Sequence, residues 1–182
     1  MPAPPAPWHT RAQAVVWWHR AASDAPKPDG ARATLPVTIA GFVRYLENPV
    51  GPYDEIVASP VLRLDPRPAA WIPFIAVDSA DSVEGGRANW DLPKTLGSFD
   101  LRPPVLSGRG PDWSVEARVR ARPRRVPVAL AALVVQPRAE LRVRVRGRAR
   151  LATVEVTRSD PAWLREGRHP GVVLDDARAD FL

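Results

Sequence analysis

The sequence predicts a mainly β protein with an antiparallel barrel or strongly curved sheet of about seven or more strands and one or two short helices. Proline is abundant and spread through the chain, at 22 of 182 residues, which disfavours long helices and favours short strands joined by turns. Several segments alternate apolar and polar residues with a period of two, which is typical of half-buried strands. Because these segments are not separated by long helical ones, we do not expect a parallel α/β sheet.

Length and composition indicate one domain over residues 1–182. The chain is long enough to bury its own core, and its 45% hydrophobic and 25% charged residues are typical of a globular protein. Residues 1–10, rich in Pro and Ala, are expected to form an extended arm. Residues 169–182 are expected to form an extended tail that is partly docked through its valines.

Strands are predicted where β-branched and aromatic residues cluster between turn signals. They cover residues 14–20, 38–47, 53–64, 70–77, 98–101, 112–122, 126–135 and 141–157. The periodicity of the apolar run 126–135 does not separate strand from helix, and a strand is the favoured interpretation. The segment 70–77 is apolar throughout, as in a strand buried on both faces, although it contains Pro73. A short helix is predicted at about 82–89, ending before Pro93, and a last helical turn at 161–166.

The segment 141–157 shows the clearest alternation in the chain. One face carries five arginines, at positions 142, 144, 146, 148 and 150, and after Leu151 the apolar residues change to the other phase. A period of two cannot invert without an inserted residue, so we predict a β-bulge or sharp bend between Gly147 and Ala152. The arginine face could bind phosphates, but it lacks the aromatic side chains of single-strand binders, so a solvated or subunit-facing surface is the favoured interpretation and nucleic acid is not.

Other classes are disfavoured by what the sequence lacks. Without cysteine there is no disulfide or thiolate ligand, and His9, His19 and His169 are too far apart to form a metal motif, so we expect neither metal nor cofactor. No apolar run approaches the roughly 20 residues that span a bilayer, and the N-terminus does not resemble a signal peptide. The default expectation is a cytoplasmic protein.

Lys94 is the first candidate for chemistry. It is one of two lysines among 26 basic residues. Arginine cannot lose its proton and act as a nucleophilic amine, whereas lysine can when its site is dry or already positive. Apolar neighbours at Leu92 and Leu96 fit such a site, although a lone lysine in a loop is more often a surface residue. Taken alone, Asp54 and Glu55 are a solvated carboxylate pair in a turn, and Arg87 is a salt-bridging or capping group.

Two segments, VGPYDEIVASP (50–60) and VDSADSVEGGRANWDLPKTLG (77–97), together resemble the acetoacetate decarboxylase superfamily. The shared pattern is Gly-x-Tyr-x-Glu, then Gly-Arg, then Pro-Lys with the lysine seven residues after the arginine. Here these positions are Gly51, Tyr53, Glu55, Gly86, Arg87, Pro93 and Lys94. The paired motifs are more specific than a lone Pro-Lys, and they cover about a third of the chain.

The resemblance implies that Lys94 forms a Schiff base with a small keto acid or related carbonyl compound, and that Glu55 orients the substrate or moves protons. Arg87, Tyr53 and Trp90 are the expected substrate-binding residues. Decarboxylation and aldol or dehydration chemistry remain open, as does a non-catalytic member that binds a small ligand in the same fold. The family also implies a homo-oligomer.

The sequence departs from the decarboxylase pattern at Thr95, where acetoacetate decarboxylase has a second lysine. Without that neighbouring cation, any lowering of the pKa of Lys94 would have to come mainly from burial. Burial alone can shift the pKa of a lysine by up to roughly 3–5 units.

Overall fold

A computed structural model of the chain describes residues 3–29, 34–64 and 67–182. The regular elements are β1 (Trp8–Arg20), β2 (Thr34–Glu47), β3 (Tyr53–Leu64), β4 (Arg67–Ala70), β5 (Phe74–Val77), α1 (Ala80–Trp90), β6 (Lys94–Leu96), β7 (Ser98–Asp100), β8 (Val105–Arg109), β9 (Ser114–Gln136), β10 (Ala139–Asp160) and β11 (Gly167–Phe181). No helix in these ranges is long and apolar enough to cross a membrane.

All the strands belong to one sheet in the order β6-β5-β3-β2-β1-β11-β10-β9-β8-β7, with β4 beside both β3 and β9. The pairs β5–β6 and β4–β9 are parallel and the others are antiparallel. Strand β4 pairs with both β3 and β9. The series β3, β2, β1, β11, β10 and β9 is therefore closed through β4, and the sheet curves into a cone. The predicted mainly β, strongly curved architecture is therefore confirmed, with two parallel pairs that the sequence did not predict.

The predicted interruption in the arginine-rich strand is confirmed. Against β11 the register of β10 shifts between Arg148 and Ala149, and against β9 it shifts between Arg150 and Ala152. Ala149 and Val154, five residues apart, are both buried, so the buried face of β10 changes phase between them. The extra residues at these shifts lie on the partner strands, because Asp175 of β11 has no partner on β10 and residues 122–124 of β9 stand opposite Leu151 alone.

Several predicted boundaries are wrong, since β1 begins at Trp8 and β2 at Thr34, both earlier than predicted. The segment 70–77 is not one strand, because β4 ends at Ala70 and β5 begins at Phe74, and Pro73 between them has no N–H for the ladder. The segments 112–122 and 126–135 are parts of the single long strand β9. The segment 161–166 is a turn closed by a 3.1 Å hydrogen bond from the amide N of Leu164 to the carbonyl O of Pro161, and not a helical turn.

Both ends of the described chain take part in the sheet. Trp8 begins β1, so the last part of the expected arm is a strand. The segment expected as a C-terminal tail lies almost entirely in β11, which is hydrogen-bonded between β1 and β10. The side chain of Phe181, near the end of this strand, lies 6.2 Å from the ring of Tyr45 and 6.1 Å from that of Trp90.

The core divides into a large cluster inside the wide part of the cone and smaller clusters near α1. The large cluster is built around Trp17, Phe42, Ile56, Val154 and Leu164, all 0–1% exposed. The smaller clusters gather Trp8, Trp90, Leu92, Tyr45, Tyr53 and Val77 around the N-terminal end of β3. This second region holds the candidate site.

Candidate active site

The start of β3 is fixed by the turn that precedes it. Gly51 has φ +85°, a conformation that glycine adopts without steric cost, and its amide N donates to the carbonyl O of Asn48 at 2.9 Å. Tyr53 and Glu55 follow two residues apart and therefore point to the same face. Tyr45 on β2 is directly opposite Tyr53, and their rings are 4.5 Å apart.

The helix α1 lies beside this face and is fixed by its caps. The Ser79 side chain accepts a hydrogen bond from the amide of Ser82, and the helix ends where Asp91 takes a left-handed conformation with φ 54°. The predicted helix is therefore correct in place but longer by two residues at the start and one at the end. The chain then returns to the sheet as β6, which begins at Lys94 and runs parallel to β5.

The side chain of Lys94 is buried among oxygen atoms. Its Nζ lies 2.9 Å from Oε2 of Glu55, 2.9 Å from Oγ of Ser82 and 3.3 Å from the hydroxyl of Tyr53. Lys94 is 3% exposed and Glu55 4%. An ammonium has three donors, and here each has an acceptor within hydrogen-bond distance.

Aromatic groups complete the surroundings of this pair. The Nζ of Lys94 lies 5.1 Å from the centre of the Tyr53 ring, within the range of a cation–π contact. The hydroxyl of Tyr45 donates to Oε1 of Glu55 at 3.4 Å, so both carboxylate oxygens have a partner. The result is a charged pair in apolar and aromatic surroundings.

The pKa of Lys94 is raised above its ordinary value of 10.5. Burial is the largest single influence and lowers this pKa, but the charge of Glu55, followed by Tyr53 and the hydrogen bonds of both, outweighs it. Burial also raises the pKa of Tyr53 to about 12 and that of Tyr45 well above 10. From the sequence we expected that burial would lower the pKa of Lys94. Burial does act in that direction, but the nearby carboxylate of Glu55 reverses the net shift.

Two residues of the Gly-Arg motif support the lysine without touching its nitrogen. A Cβ added to Gly86 would lie 2.7 Å from Cδ and 2.8 Å from Cε of Lys94, so glycine makes room for the stem. The guanidinium of Arg87 donates to the carbonyl O of Lys94 twice, from Nε at 3.0 Å and Nη2 at 2.6 Å. These contacts fix the backbone from which the side chain of Lys94 extends.

The structure brings Lys94, Glu55 and Tyr53 together. It places Arg87 on the Lys94 backbone, and it places Trp90 in the adjacent apolar cluster, where its ring meets that of Trp8 edge-on at 5.0 Å. Within the described ranges, no group of three His, Asp or Glu side chains is arranged to hold a metal.

Sequence reasoning missed Ser82 and Tyr45. Ser82 lies one turn before Gly86, so the two share the face of α1 that meets Lys94. Tyr45 could have been found by pairing β2 with β3, which sets it across from Tyr53. That pairing requires the register, which the turn at Gly51 determines.

No protein-family model matches the sequence, and no curated protein matches it significantly. Solved structures do match over nearly the whole chain. The enduracididine biosynthesis enzyme MppR complexed with pyruvate is 17% identical with a TM-score of 0.68, covering 98% of this chain and 89% of that one. Acetoacetate decarboxylase from Legionella pneumophila is 14% identical with a TM-score of 0.67, covering 99% and 86%. An acetoacetate decarboxylase-like enzyme from Sphingomonas wittichii RW1 is 16% identical with a TM-score of 0.64, covering 98% and 91%.

These matches show that the chain has the acetoacetate decarboxylase-like fold, as the paired motifs predicted. The similarity extends far beyond the two motif segments, because it covers at least 98% of the chain.

Proposed function

We propose that this protein is a Schiff-base-forming enzyme that acts on a small carbonyl compound or keto acid, with Lys94 as the nucleophile. The observation that carries the proposal is the buried contact of 2.9 Å between Nζ of Lys94 and Oε2 of Glu55. A lysine used for solubility stays in water, where its charge is well solvated. A buried lysine beside a carboxylate can instead change its protonation state by a local proton transfer.

Glu55 takes the proton that Lys94 must lose. Because the pKa of Lys94 is raised, the resting residue is an ammonium, which has no lone pair for attack. A carbonyl substrate that enters the site moves the ammonium away from Ser82 and Tyr53, which are two of its three hydrogen-bond partners. Charges are disfavoured in such a dry site, so the proton moves along the 2.9 Å contact and leaves a neutral amine beside a protonated Glu55.

The neutral amine then attacks the carbonyl carbon. Glu55 returns its proton to the carbonyl oxygen, a second proton moves there from the attacking nitrogen, and the oxygen leaves as water to give an iminium. The iminium then accepts the electron pair of a neighbouring bond of the substrate. In one route this is the C–C bond to a carboxylate, which leaves as carbon dioxide; in the other it is a C–H bond whose proton a base removes. The resulting enamine is protonated or attacks a second carbonyl, and hydrolysis releases Lys94. No further cofactor is required.

Tyr53 is the proposed substrate contact in this scheme. Its pKa of about 12 keeps the hydroxyl protonated near neutral pH, so it can donate to the carbonyl oxygen. Arg87 holds the Lys94 backbone, and Trp90 shapes the neighbouring apolar wall, so both contribute to binding the substrate through the shape of the site.

The structural neighbours support a carbonyl substrate. MppR is described in complex with pyruvate and with the condensation product of pyruvate and imidazole 4-carboxaldehyde. A shared fold with a ligand of this kind favours carbonyl chemistry at the buried lysine, although it does not select between decarboxylation, aldol addition and dehydration.

The second candidate function is a non-catalytic carbonyl binder. It is favoured by one observation, that the ammonium of Lys94 already uses its three donors on Glu55, Ser82 and Tyr53. Such a protein would hold a ligand beside the cluster without forming product. Product formation followed by NMR separates the two candidates.

Borohydride trapping tests the proposed covalent step. The protein is incubated with short ketones, aldehydes and keto acids, reduced, and analysed by peptide mass spectrometry. We expect an adduct on Lys94 and none in Lys94→Arg, which keeps the charge but provides no nucleophilic amine. An adduct at another residue, or none with the whole panel, would contradict the proposal.

We also propose a homo-oligomer. Val126 and Leu130 on β9 and Leu151 on β10 are 39%, 47% and 55% exposed, although they are large and apolar and lie on neighbouring strands. A second copy would remove this apolar surface from water. Sedimentation velocity of wild type and Leu130→Glu tests it, and a monomeric wild type would contradict it.

A further inference from the structure

Among the described residues, the charged side chains in direct contact at this site are one cation, Lys94, and one anion, Glu55. Lys94, Tyr53 and Tyr45 have raised pKa values, and the side chains that shift them belong to the cluster itself: Glu55, Ser82, Lys94 and Tyr53. Within residues 3–29, 34–64 and 67–182, Lys94 is the one cation recorded with a hydrogen bond to the side chains of this cluster. The surrounding clusters are apolar or aromatic.

Two positions next to the site, 87 and 95, do not provide it with a second cation. Both recorded hydrogen bonds of Arg87 go to the carbonyl O of Lys94, and not to a side chain of the cluster. Position 95 is threonine, and its side chain is exposed, with its Oγ1 3.5 Å from the carbonyl O of Ile75. Neighbouring residues of a strand face opposite ways, so Thr95 points away from the side where Lys94 is buried.

From this charge balance, and resting on the proposed Schiff-base function, we infer that the substrate is a neutral ketone or aldehyde and not a keto acid. When Lys94 becomes an iminium, its single positive charge already has Glu55 as its partner. A substrate carboxylate would then be an unpaired anion close to a second one. The two carboxylates would repel each other, because the effective dielectric of a partly buried site screens charges far less than water does.

The reaction that follows is carbon–carbon bond formation or cleavage by the aldol route. A neutral substrate has no carboxylate to lose, so the enamine forms when Glu55 removes a proton from the carbon next to the iminium. The electron pair of that C–H bond becomes the carbon–carbon double bond, and the iminium nitrogen becomes neutral. The enamine carbon attacks a second carbonyl, whose oxygen takes the proton from Glu55, and water then releases Lys94.

Matched acid and ester pairs test the inference. Levulinate and methyl levulinate carry the same ketone far from the group that changes, and acetoacetate and methyl acetoacetate form a second pair. The rate of borohydride-trapped adduct on Lys94 is measured for each compound and divided by its rate with butylamine under the same conditions. We expect each ester to react at least about tenfold faster than its acid after this correction.

Glu55→Gln shows whether the carboxylate causes the discrimination. It removes the repelling charge, so the ratio of ester to acid should fall to within about threefold, because most of the repulsion is lost. Asp54→Asn is the matched control, since Asp54 is the adjacent carboxylate but is bonded to Arg44 at 2.7 and 2.8 Å. It should keep the wild-type ratio.

Exchange of the α-protons of acetone in D2O, followed by NMR, gives a second readout that needs no reaction partner. We expect wild type to accelerate this exchange and Lys94→Arg not to do so.

The outcomes separate this inference from the proposed function. Acids that react as fast as their esters, or faster, overturn the inference but leave the Schiff base intact. Adducts with no compound overturn both. If the esters react faster than the acids and the ratio of the two rates is unchanged in Glu55→Gln, the selectivity is not caused by Glu55.

Discussion

The ammonium of Lys94 and the carboxylate of Glu55 form an ion pair at 2.9 Å, with 4% and 6% of their side chains exposed. A pair buried this deeply is costly to create, because both ions lose their hydration. Its hydrogen bonds to Ser82, Tyr53 and Tyr45 offset part of that cost. A proton can therefore move between Nζ of Lys94 and Oε2 of Glu55, which are already in contact.

Removing one partner of the pair should destabilise the fold. Lys94→Met keeps the length of the stem but leaves Glu55 buried without its cation, which costs about 3–5 kcal/mol in the free energy of unfolding. The double variant Lys94→Met, Glu55→Gln should recover part of this loss, since no charge remains buried. Urea unfolding measures both, with the exposed Lys27→Met as a control expected within about 0.5 kcal/mol of wild type. A single variant as stable as wild type would contradict the prediction.

The pair should also make stability depend on pH at the alkaline end. The pKa of Lys94 is higher in the folded chain than its ordinary value of 10.5, so the folded state binds this proton more tightly. The resulting stabilisation is complete below pH 10.5 and is lost as the pH rises through the folded pKa. Thermal unfolding from pH 9 upward should show a steeper decline for wild type than for Lys94→Met, Glu55→Gln. Parallel curves would argue against a raised pKa.

Glu55→Gln should lower the pKa of Lys94 below 10.5. It removes the charge that raises this pKa and leaves burial, which lowers it, as the largest influence. The pH dependence of Lys94 acylation, read by mass spectrometry, gives the midpoint in each variant. Turnover should nonetheless fall, because the proton acceptor is gone. An unchanged midpoint would mean that Glu55 does not control the charge of Lys94.

Gly86→Ala should impair the lysine specifically. The added Cβ would press on the stem of Lys94, at 2.7 and 2.8 Å, and displace its Nζ. Misplacement of a reacting group by about 1 Å can cost a hundredfold in rate, so we expect trapping to slow by about tenfold or more. Gly85→Ala is the matched control, since its Cβ would meet the Trp8 ring at 2.6 Å instead. Equal slowing in both variants would indicate general damage to the helix.

Arg87→Gln should loosen the backbone at Lys94. The variant loses the two-nitrogen contact to the carbonyl O of Lys94, and we expect a loss of about 1 kcal/mol in stability and a lower kcat for any substrate found. The pH midpoint of Lys94 acylation should stay unchanged, because Arg87 acts on the backbone. Arg138→Gln, which breaks an exposed pair with Asp91, is the control for loss of a surface arginine. A shifted midpoint would contradict a purely positional role.

Much of this fold follows from local patterns. The sequence predicts strand β3 over 53–64, the range that the structure shows, because turn residues precede a run rich in Ile, Val and Leu. The irregularity along β10 between Gly147 and Ala152 follows from the change of phase after Leu151, and the structure shows register shifts there. The break between β4 and β5 has a local cause, the missing N–H of Pro73, whereas the fusion of two predicted strands into β9 was missed because ladder hydrogen bonds to distant strands decide where a strand stops.

The sequence by itself determined the chemical identity of the candidate site, since Lys94 and Glu55 stand in motifs that can be found without coordinates. Only the tertiary structure decided which groups surround the amine and what charge it carries at rest. Ser82 comes from one turn of a helix and Tyr45 from a strand that pairs across β3, and neither proximity is encoded in a short motif. The charge depends on the balance between burial and the nearby carboxylate, and both terms are set by distances that exist only in the folded chain.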